Sequence, residues 1–309
     1  MANHNPQNPG DKASLRFRFA PSPNGWLHLG HAYSALFTQR AARAAGAELL
    51  LRIEDIDQTR SRPEFSNGIR EDMDWLGIHF APDVRIQSNH FADYEKALDQ
   101  LADLGILYTC AATRKQIDAE ISTRKNPDNW PRDPDGSPLY PGIWRDRSDD
   151  NYARLMKSGV PVAIRLDMTK AVALLKTRNA FPLTFEEQGI GPDGQTGQVQ
   201  LDPQIWGDVV LARKDTPTSY HLSVVVDDAD QGITHITRGQ DLFFATAIHR
   251  LLQILLDFPE PVYCHHRLIR AGDDRKLSKS AMDASLKSLR QSGTSADEVR
   301  HMLGFDRPD

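Results

Sequence analysis

The chain has 309 residues, enough for about two domains, with 37 lysines and arginines against 42 aspartates and glutamates, a formal net charge of −5. This balance excludes a polybasic protein that holds nucleic acid by bulk charge, although it does not exclude a local basic patch. No apolar run is long enough for a transmembrane helix and the polar start is not a signal peptide. The two distant cysteines, Cys110 and Cys264, exclude a disulfide framework, so we expect a cytoplasmic protein with no membrane contact.

The first sixty residues predict a βαβ unit. Residues 1–14 lack periodicity and predict a disordered tail. Alternation over 15–20 predicts a strand, the following prolines a turn, the apolar spacing over 31–45 a helix, and the apolar run 49–53 a second strand. Such a unit implies a parallel sheet, and ligands bind at the carboxyl ends of its strands.

The rest of the chain is less regular. Apolar spacing predicts helices within 64–108, five prolines predict an extended loop over 127–141, and 151–212 shows short strand and turn patterns. The final predictions in chain order are strands at 221–226 and 232–238 and a helix at 246–256.

These elements predict an α/β fold, a doubly wound parallel sheet of the Rossmann type that is split by an inserted α+β domain. We expect the two halves of the sheet at 15–109 and 196–262 and the inserted domain at 110–195. The remaining residues, 263–309, would form a loop and a short helical segment.

Two short motifs carry the chemistry. His28, Gly30 and His31 form a His-Leu-Gly-His turn between a strand and a helix, where orphan amides and the helix dipole favour a polyphosphate. Lys276 and Lys279 lie in the loop Lys-Leu-Ser-Lys-Ser and supply two mobile positive charges for a departing phosphate. Either motif alone is a weak signal, because a polar surface turn would read the same way.

Together the motifs resemble the two nucleotide-binding motifs of class I aminoacyl-tRNA synthetases. The strings RFAPSPNGWLHLGHAYSALF, LLLRIEDID, VVVDDADQGITHITRGQDL and KLSKS are similar to the glutamyl-tRNA synthetase branch. The similarity runs from about Arg16 to Ser280 and so covers most of the chain.

The resemblance implies an L-glutamate site and an ATP site. Glutamate would be bound by Arg18, Ala20, Ser22, Glu54, Tyr220 and Arg238. ATP would be bound by Pro21, Gly30, His28, His31 and Lys279, with catalytic roles for His28, His31, Lys276 and Lys279. Glu54 is expected to face the substrate ammonium and Arg238, by its fork geometry, the side-chain carboxylate. We also expect Tyr220 and Arg238 to lie at the ends of the strands in the second half.

The family's reaction needs no enzyme nucleophile. The glutamate α-carboxylate attacks the α-phosphorus of ATP, which is expected to arrive with Mg²⁺, and a nucleic-acid hydroxyl then takes the glutamyl group. The protein would supply positioning and charge stabilisation.

The chain ends 29 residues after Ser280, where full-length glutamyl-tRNA synthetases continue into an anticodon-binding region, so we expect no such domain. It resembles a short branch of the family that attaches glutamate to queuosine in the anticodon of tRNA(Asp). The exposed anticodon loop would then be the partner, and no obligate protein partner is predicted. Basic residues of the insertion could hold its phosphates: Arg114, Lys115, Arg124, Lys125 and Arg132.

A zinc site of the family is incomplete. Its ligand positions correspond to Cys110, Ala112, Tyr140 and Trp144, so two of three thiolates are missing and we expect no structural zinc. Packing of Trp130 with Tyr140 and Trp144 would hold this region instead. We also expect no metal at residues 264–266, with Cys264 packed and the two following histidines polar.

Three alternatives stay open at this point. One is a truncated enzyme that charges the 3′ end of tRNA(Glu), and another is a non-catalytic paralogue that binds ATP or an amino acid. The third is an adenylyltransferase with a similar histidine motif and a different small substrate.

Overall fold

The structure is a computed structural model that describes residues 14–146, 162–269 and 284–305. The strands in these ranges are β1 (Arg16–Phe19), β2 (Glu48–Ile53), β3 (Arg85–Ile86), β4 (Leu107–Cys110), β5 (Ala163–Leu166), β6 (Leu183–Glu187), β7 (Gly197–Leu201), β8 (Val210–Ala212), β9 (His235–Gly239) and β10 (Val262–His266). The α-helices are α1 (Leu29–Ala44), α2 (Pro63–Trp75), α3 (Phe91–Asp103), α4 (Arg114–Ser122), α5 (Met168–Thr177), α6 (Tyr220–Asp230), α7 (Thr246–Leu255), α8 (Leu286–Gln291) and α9 (Ala296–Leu303). Short 3-10 turns lie at Gln87–Asn89, Pro127–Asn129, Pro203–Trp206 and Gln240–Leu242.

The described strands form two sheets. The larger has the order β3-β2-β1-β9-β10-β6-β7, in which only the β6–β7 pair is antiparallel. The smaller, β4-β5-β8, is antiparallel. This confirms an α/β fold with a mostly parallel sheet, and it confirms the first βαβ unit of β1, α1 and β2.

The division into two sheets does not separate the predicted inserted domain at 110–195 from the rest of the chain. Strand β6 lies in the larger sheet beside β10, although it falls inside that range, while β4 and β5 belong to the smaller sheet. The division of the chain at residues 110, 195 and 262 therefore stays a prediction.

Burial explains the sequence of the first two strands. Phe17 and Phe19 of β1 pack on one side of the sheet with Leu36 of α1, as the alternation predicts. Arg18 points to the other side, where it is buried as well. In β2 the residues after Glu48 are buried, including the one charged residue, Arg52, which has no exposed surface. A charge buried this deeply requires a partner, and that partner lies at the candidate site.

The predicted strand at 221–226 is wrong, because these residues lie in α6. The Ser219 side chain accepts the N–H of Leu222 and caps the helix. All residues from Leu222 to Asp228 are buried, so the helix is covered on every face over this stretch. A short buried run of valines reads alike as strand or helix, and packing in the core outweighs the β-propensity of valine. As a result Tyr220 opens a helix and does not end a strand.

Other boundaries differ in smaller ways. The predicted helical stretch at 64–108 divides into α2 and α3, with β3 between them and β4 beginning at Leu107. Helix α5 was not predicted within 151–212. The proline-rich stretch 127–141 is irregular as predicted, apart from its single 3-10 turn and an isolated bridge from Arg132 to Pro138. No helix in the three described ranges is long and apolar enough to cross a membrane.

Candidate active site

A cavity of about 320 Å³ opens at the carboxyl ends of β1, β9 and β10 and at the start of α1. Nine of the predicted site residues line it, namely Arg18, Ala20, Pro21, His28, Gly30, His31, Glu54, Tyr220 and Arg238. Ser22 is not among the lining residues. Lys276 and Lys279 lie outside the described residues.

The turn before α1 presents two histidines to the cavity. His28 is the N-cap residue, and its Nδ1 accepts the N–H of Gly30 at 3.1 Å. Nδ1 of His31 accepts the N–H of His28 at 3.2 Å, and the two ring centroids are 3.9 Å apart. Gly30 leaves room for this arrangement, because a Cβ would stand 2.9 Å from Cε1 of His28 and the ring would have to shift. The prediction that both imidazoles share the N-terminus of a helix is confirmed.

These hydrogen bonds determine what the histidines can do chemically. In a neutral imidazole whose Nδ1 accepts, the proton sits on Nε2. Each Nε2–H is then a donor, and the N-terminus of α1 adds the positive end of its dipole. Donors and dipole together suit the phosphates of a nucleotide.

Residues far along the chain meet the same turn. Ser285 forms an isolated antiparallel bridge with His28, and the N–H of Leu286 donates to the carbonyl of Leu27 at 2.8 Å. On the other side, Leu268 and Ile269 line the cavity. Of the described residues that flank the second motif, those before it line the cavity, and those after it pair with the turn that carries His28.

A buried charge network supports the cavity wall. Nε of Arg18 and Nη1 of Arg52 both donate to Oδ1 of Asp228, at 2.9 and 2.8 Å. Arg52 also pairs with Glu54 at 3.2 Å. Burial opposes the charge of Arg52, but the carboxylates of Asp228 and Asp227 nevertheless hold its pKa above the ordinary value. The guanidinium of Arg18 thus reaches the cavity already paired.

Glu54 combines burial with a position on the cavity wall. Burial raises the pKa of Glu54 to about 7, although Arg52 and Arg18 oppose this shift. Its Oε1 accepts from Arg52, and its Oε2 accepts no hydrogen bond from a described residue. A cationic group of a ligand in the cavity would favour the ionised carboxylate and lower this pKa again.

Arg238 is held by neutral partners. Its Nε donates to Nε2 of His265 at 2.9 Å, Nη1 to Nδ1 of His249 at 2.8 Å, and Nη2 to Oγ1 of Thr246 at 2.5 Å. Among the described residues, no carboxylate forms an ion pair with this buried guanidinium. One N–H on each terminal nitrogen has no acceptor among them either. The cavity therefore offers an uncompensated, orientated positive charge that suits an anionic group.

Tyr220 completes this side of the cavity from the first turn of α6. Burial raises the pKa of Tyr220 to about 12, so its phenol stays neutral near pH 7. Its ring lies edge-on to His249, with centroids 5.7 Å apart. The phenol can therefore only donate or accept hydrogen bonds, without adding charge.

The comparison with known families gives this geometry its context. The sequence model of the family described as tRNA synthetases class I (E and Q), catalytic domain, matches residues 14–303. The chain belongs to this family. It is accordingly a ligase of the class I aminoacyl-tRNA synthetase type.

Individual relatives agree with the family match. A glutamyl-Q tRNA(Asp) synthetase from Rhodobacter capsulatus is 42% identical over 93% of this chain and 99% of that protein. A second one, from Nitratidesulfovibrio vulgaris, is 34% identical over 94% of this chain and 86% of that protein. A glutamate–tRNA ligase from Prochlorococcus marinus is 32% identical over 96% of this chain but 59% of its own length. A solved glutamate–tRNA ligase from Elizabethkingia meningosepticum, in complex with its amino acid, has a TM-score of 0.66 and 26% identity over 86% of this chain and 52% of that one.

The sequence patterns do not single out several residues that support this cavity. Arg52, Asp228 and His265 lie behind the cavity and orient Arg18, Glu54 and Arg238. The one available signal was charge in an apolar context: Arg52 interrupts the apolar run of β2, and Asp228 is the second of two aspartates that follow three valines. The residues 264–266 were expected to combine a packed thiol with polar histidines. Instead Cys264 is half-buried, whereas His265 and His266 are buried.

The family's zinc-ligand positions come together in space. Cys110, Ala112 and Tyr140 form one buried cluster against which Trp144 packs. The phenol of Tyr140 accepts from Sγ of Cys110 at 3.3 Å and from the N–H of Trp144 at 3.1 Å. Trp130 is not part of this cluster; its indole donates to the carbonyl of Leu139 at 2.8 Å. One thiol with an aromatic partner does not suit Zn²⁺, and the absence of zinc stays a prediction.

The basic residues predicted to hold RNA phosphates are exposed: Arg114, Lys115, Arg124, Lys125 and Arg132. Arg124 pairs with Glu120 at 2.8 Å and Arg132 donates to the carbonyl of Gly136 at 2.6 Å. Exposure leaves all five accessible to a macromolecule, and their role stays a prediction.

Proposed function

We propose that this synthetase activates L-glutamate with ATP and transfers it to queuosine in the anticodon of tRNA(Asp). The observation that carries the first half is the charge pattern of one cavity. Arg238 offers an uncompensated positive charge, Glu54 a carboxylate, and the histidine turn a set of donors for phosphates. Glutamate, with two carboxylates and one ammonium, and ATP together match this pattern.

The reaction proceeds by positioning and charge stabilisation. Arg238 binds the side-chain carboxylate and Glu54 the ammonium, so the α-carboxylate points toward the nucleotide. Its oxygen attacks the α-phosphorus of ATP, the bond between the α- and β-phosphates breaks, and pyrophosphate leaves. His28 and His31 donate from Nε2 to the phosphates, while Lys276 and Lys279 neutralise the leaving pyrophosphate.

A hydroxyl of the acceptor then attacks the carbonyl carbon of glutamyl-adenylate and AMP leaves. ATP brings Mg²⁺ with its phosphates. Ala20 lines the cavity as part of the proposed glutamate site, and Pro21 as part of the proposed ATP site. Ser22 remains part of the proposed glutamate site, although it is not among the residues that line the cavity.

The choice of acceptor is supported by the pattern of relatives. The two glutamyl-Q tRNA(Asp) synthetases match nearly the whole of this chain and most of their own length, at up to 42% identity. The glutamate–tRNA ligases match at about a third identity and over 59% of their own length. The competing function, charging the 3′ end of tRNA(Glu), would use the same cavity.

The activation half is tested by exchange of labelled pyrophosphate into ATP. We expect exchange with glutamate in the absence of any tRNA, and little with glutamine, which cannot complete the ion pair with Arg238. Exchange with another amino acid but not with glutamate would refute the proposed substrate. Replacing Lys279 by Ala should lower the kcat of exchange by about 100-fold, since this charge acts as pyrophosphate departs.

A further inference from the structure

We propose that Glu187 and His265 are positioning residues that hold Arg238 ready for the side-chain carboxylate of glutamate. They do so by fixing which nitrogen of His265 carries the proton. This inference rests on the proposed function, because it assigns Arg238 to that carboxylate. Neither Glu187 nor His265 lines the cavity, so both act through Arg238.

The contacts form a continuous chain from β6 to the cavity. Oε2 of Glu187 is hydrogen-bonded to Nδ1 of His265, and Nε2 of His265 accepts from Nε of Arg238 at 2.9 Å. Oε1 of Glu187 accepts the backbone N–H groups of His265 at 2.8 Å and Gly189 at 2.7 Å. Both oxygens of this buried carboxylate are therefore engaged by donors.

This arrangement admits one tautomer of the imidazole. A guanidinium has no acceptor, so Nε2 of His265 must present its lone pair to Arg238. The proton then sits on Nδ1 and points at Glu187, which accepts it as a carboxylate. Burial lowers the pKa of His265 to about 4, so the ring stays neutral near pH 7. Burial alone would raise the pKa of Glu187, but the contact with His265 keeps it below the ordinary value.

The backbone around Glu187 is built for this contact. A Cβ on Gly189 would lie 2.3 Å from the carbonyl oxygen of His265 and 2.8 Å from Oε1 of Glu187. No side chain can occupy that space, so glycine permits the turn after β6 to close over the carboxylate. The close approach of the backbone holds the Glu187 side chain in one rotamer.

The imidazole between Glu187 and Arg238 serves a purpose that a direct ion pair would not. A carboxylate in contact with the guanidinium would neutralise its charge, as Asp228 does for Arg18. A neutral imidazole orients the guanidinium through a hydrogen bond and leaves the charge for the ligand. His249 and Thr246 are likewise neutral acceptors, so the same principle holds on the other two nitrogens.

Glu187→Gln tests the tautomer directly. The amide is isosteric, and its oxygen is retained by the two backbone N–H groups, so its NH₂ faces Nδ1 of His265. That nitrogen must then accept, the proton moves to Nε2, and two donors oppose each other at Arg238. We expect the KM for glutamate in pyrophosphate exchange to rise about 10- to 100-fold. The KM for ATP should change less than about twofold, and glutamine should be rejected less well. Glu186→Gln, the same change on the opposite side of β6, is the matched control and should behave as wild type.

Two further measurements separate positioning from mere stability. Nitrogen NMR of ¹⁵N-histidine protein should show unprotonated Nε2 at His265 in wild type and protonated Nε2 in Glu187→Gln. Adding His265→Gln to Glu187→Gln supplies an amide oxygen as acceptor for Arg238 and should recover part of the KM.

Three results would overturn the inference: equal KM values for Glu187→Gln and Glu186→Gln, an unchanged tautomer, or a loss shared equally by both substrates together with lower thermal stability. If Glu187→Gln fails to fold, the tautomer in wild type decides the question together with His265→Leu, which removes the acceptor for Nε of Arg238 and should raise the KM for glutamate. Absence of glutamate-dependent exchange in wild type would instead refute the proposed function, and the NMR experiment would still report on the hydrogen-bond chain.

Discussion

Glu54 and Arg238 line the same cavity, but their charges are controlled in different ways. Burial makes the charge of Glu54 depend on its surroundings, whereas neutral acceptors leave the charge of Arg238 uncompensated. The resemblance to the synthetase family predicts both as site residues. It could not predict His265, because nothing in the sequence relates a histidine of β10 to an arginine of β9.

The first prediction concerns pH. The raised pKa of Glu54, about 7, means that protonation dominates below that pH. The substrate ammonium requires the anion, so we expect the KM for glutamate to fall as pH rises from about 6 to about 8. Below pH 7 the decrease in KM should approach tenfold per pH unit. Glu54→Gln should raise KM and remove the slope, while Glu48→Gln, an exposed change on the same strand, should keep it. A slope that persists in Glu54→Gln would assign the titration to another group.

The second prediction concerns selectivity. Arg238→Gln removes the positive charge that no described carboxylate compensates. We expect the preference for glutamate over glutamine, measured as the ratio of kcat/KM values in exchange, to fall about 10- to 100-fold. Arg250→Gln is the matched control. Arg250 does not line the cavity, and its guanidinium forms an ion pair with Glu260 at 2.6 Å. An unchanged ratio in Arg238→Gln would show that another group reads the side-chain carboxylate.

At the scale of elements, periodicity predicted α1 and β2 well and α6 badly. In helix α1 buried residues recur every three or four positions, with partly exposed residues between them. This is the pattern from which hydrophobic spacing predicts a helix. Helix α6 is buried over seven successive residues, so no polar face marks it as a helix. The error moved Tyr220 from a strand end to a helix start, yet left it at the cavity because both lie at the same edge of the sheet.

A third prediction tests the start of α1. In Gly30→Ala the new Cβ would displace the ring of His28, which lies 2.9 Å away. The Nδ1 cap and the direction of Nε2–H would both be lost. We expect kcat of exchange to fall at least about tenfold with a small change in the KM for glutamate. Circular dichroism should show the same helix content as wild type. A normal kcat would mean that the ring of His28 has no part in phosphate binding.

A fourth prediction concerns the contact of α2 with α8. Asp72 is buried, and neither of its oxygens accepts a hydrogen bond from a described residue. Burial raises its pKa to about 6 despite Arg290 at 3.3 Å. Because the folded pKa lies above the unfolded one, ionisation costs stability as pH rises from about 4 to about 6. Asp72→Asn should therefore stabilise the protein by up to about 3 kcal/mol near pH 7.5 and much less near pH 4.

Urea unfolding at both pH values measures this difference. Asp74→Asn, on the exposed side of α2, is the control and should show no pH-dependent gain. Equal free-energy changes for Asp72→Asn at the two pH values would show that Asp72 is paired well enough to ionise normally.

At the scale of the whole molecule, the two ends of the described chain share one core. Leu286, Val299 and Phe305 pack in the same cluster as Phe17 and Leu36. This packing brings Ser285 against His28, so the turn that carries His28 and His31 is held together with the residues after the second motif. Sequence patterns predicted a short helical segment at this end, but not its place in the core, because long-range packing leaves no local periodicity.

The acceptor is the central claim and belongs to this scale. The decisive measurement compares transfer of labelled glutamate to tRNA(Asp) with queuosine, to the same tRNA with guanosine in its place, and to tRNA(Glu). We predict labelling of the queuosine-containing tRNA alone, with the label retained in its anticodon fragment after nuclease cleavage. Equal labelling of both tRNA(Asp) forms, or labelling of tRNA(Glu) alone, would contradict this assignment and favour charging at a 3′ end.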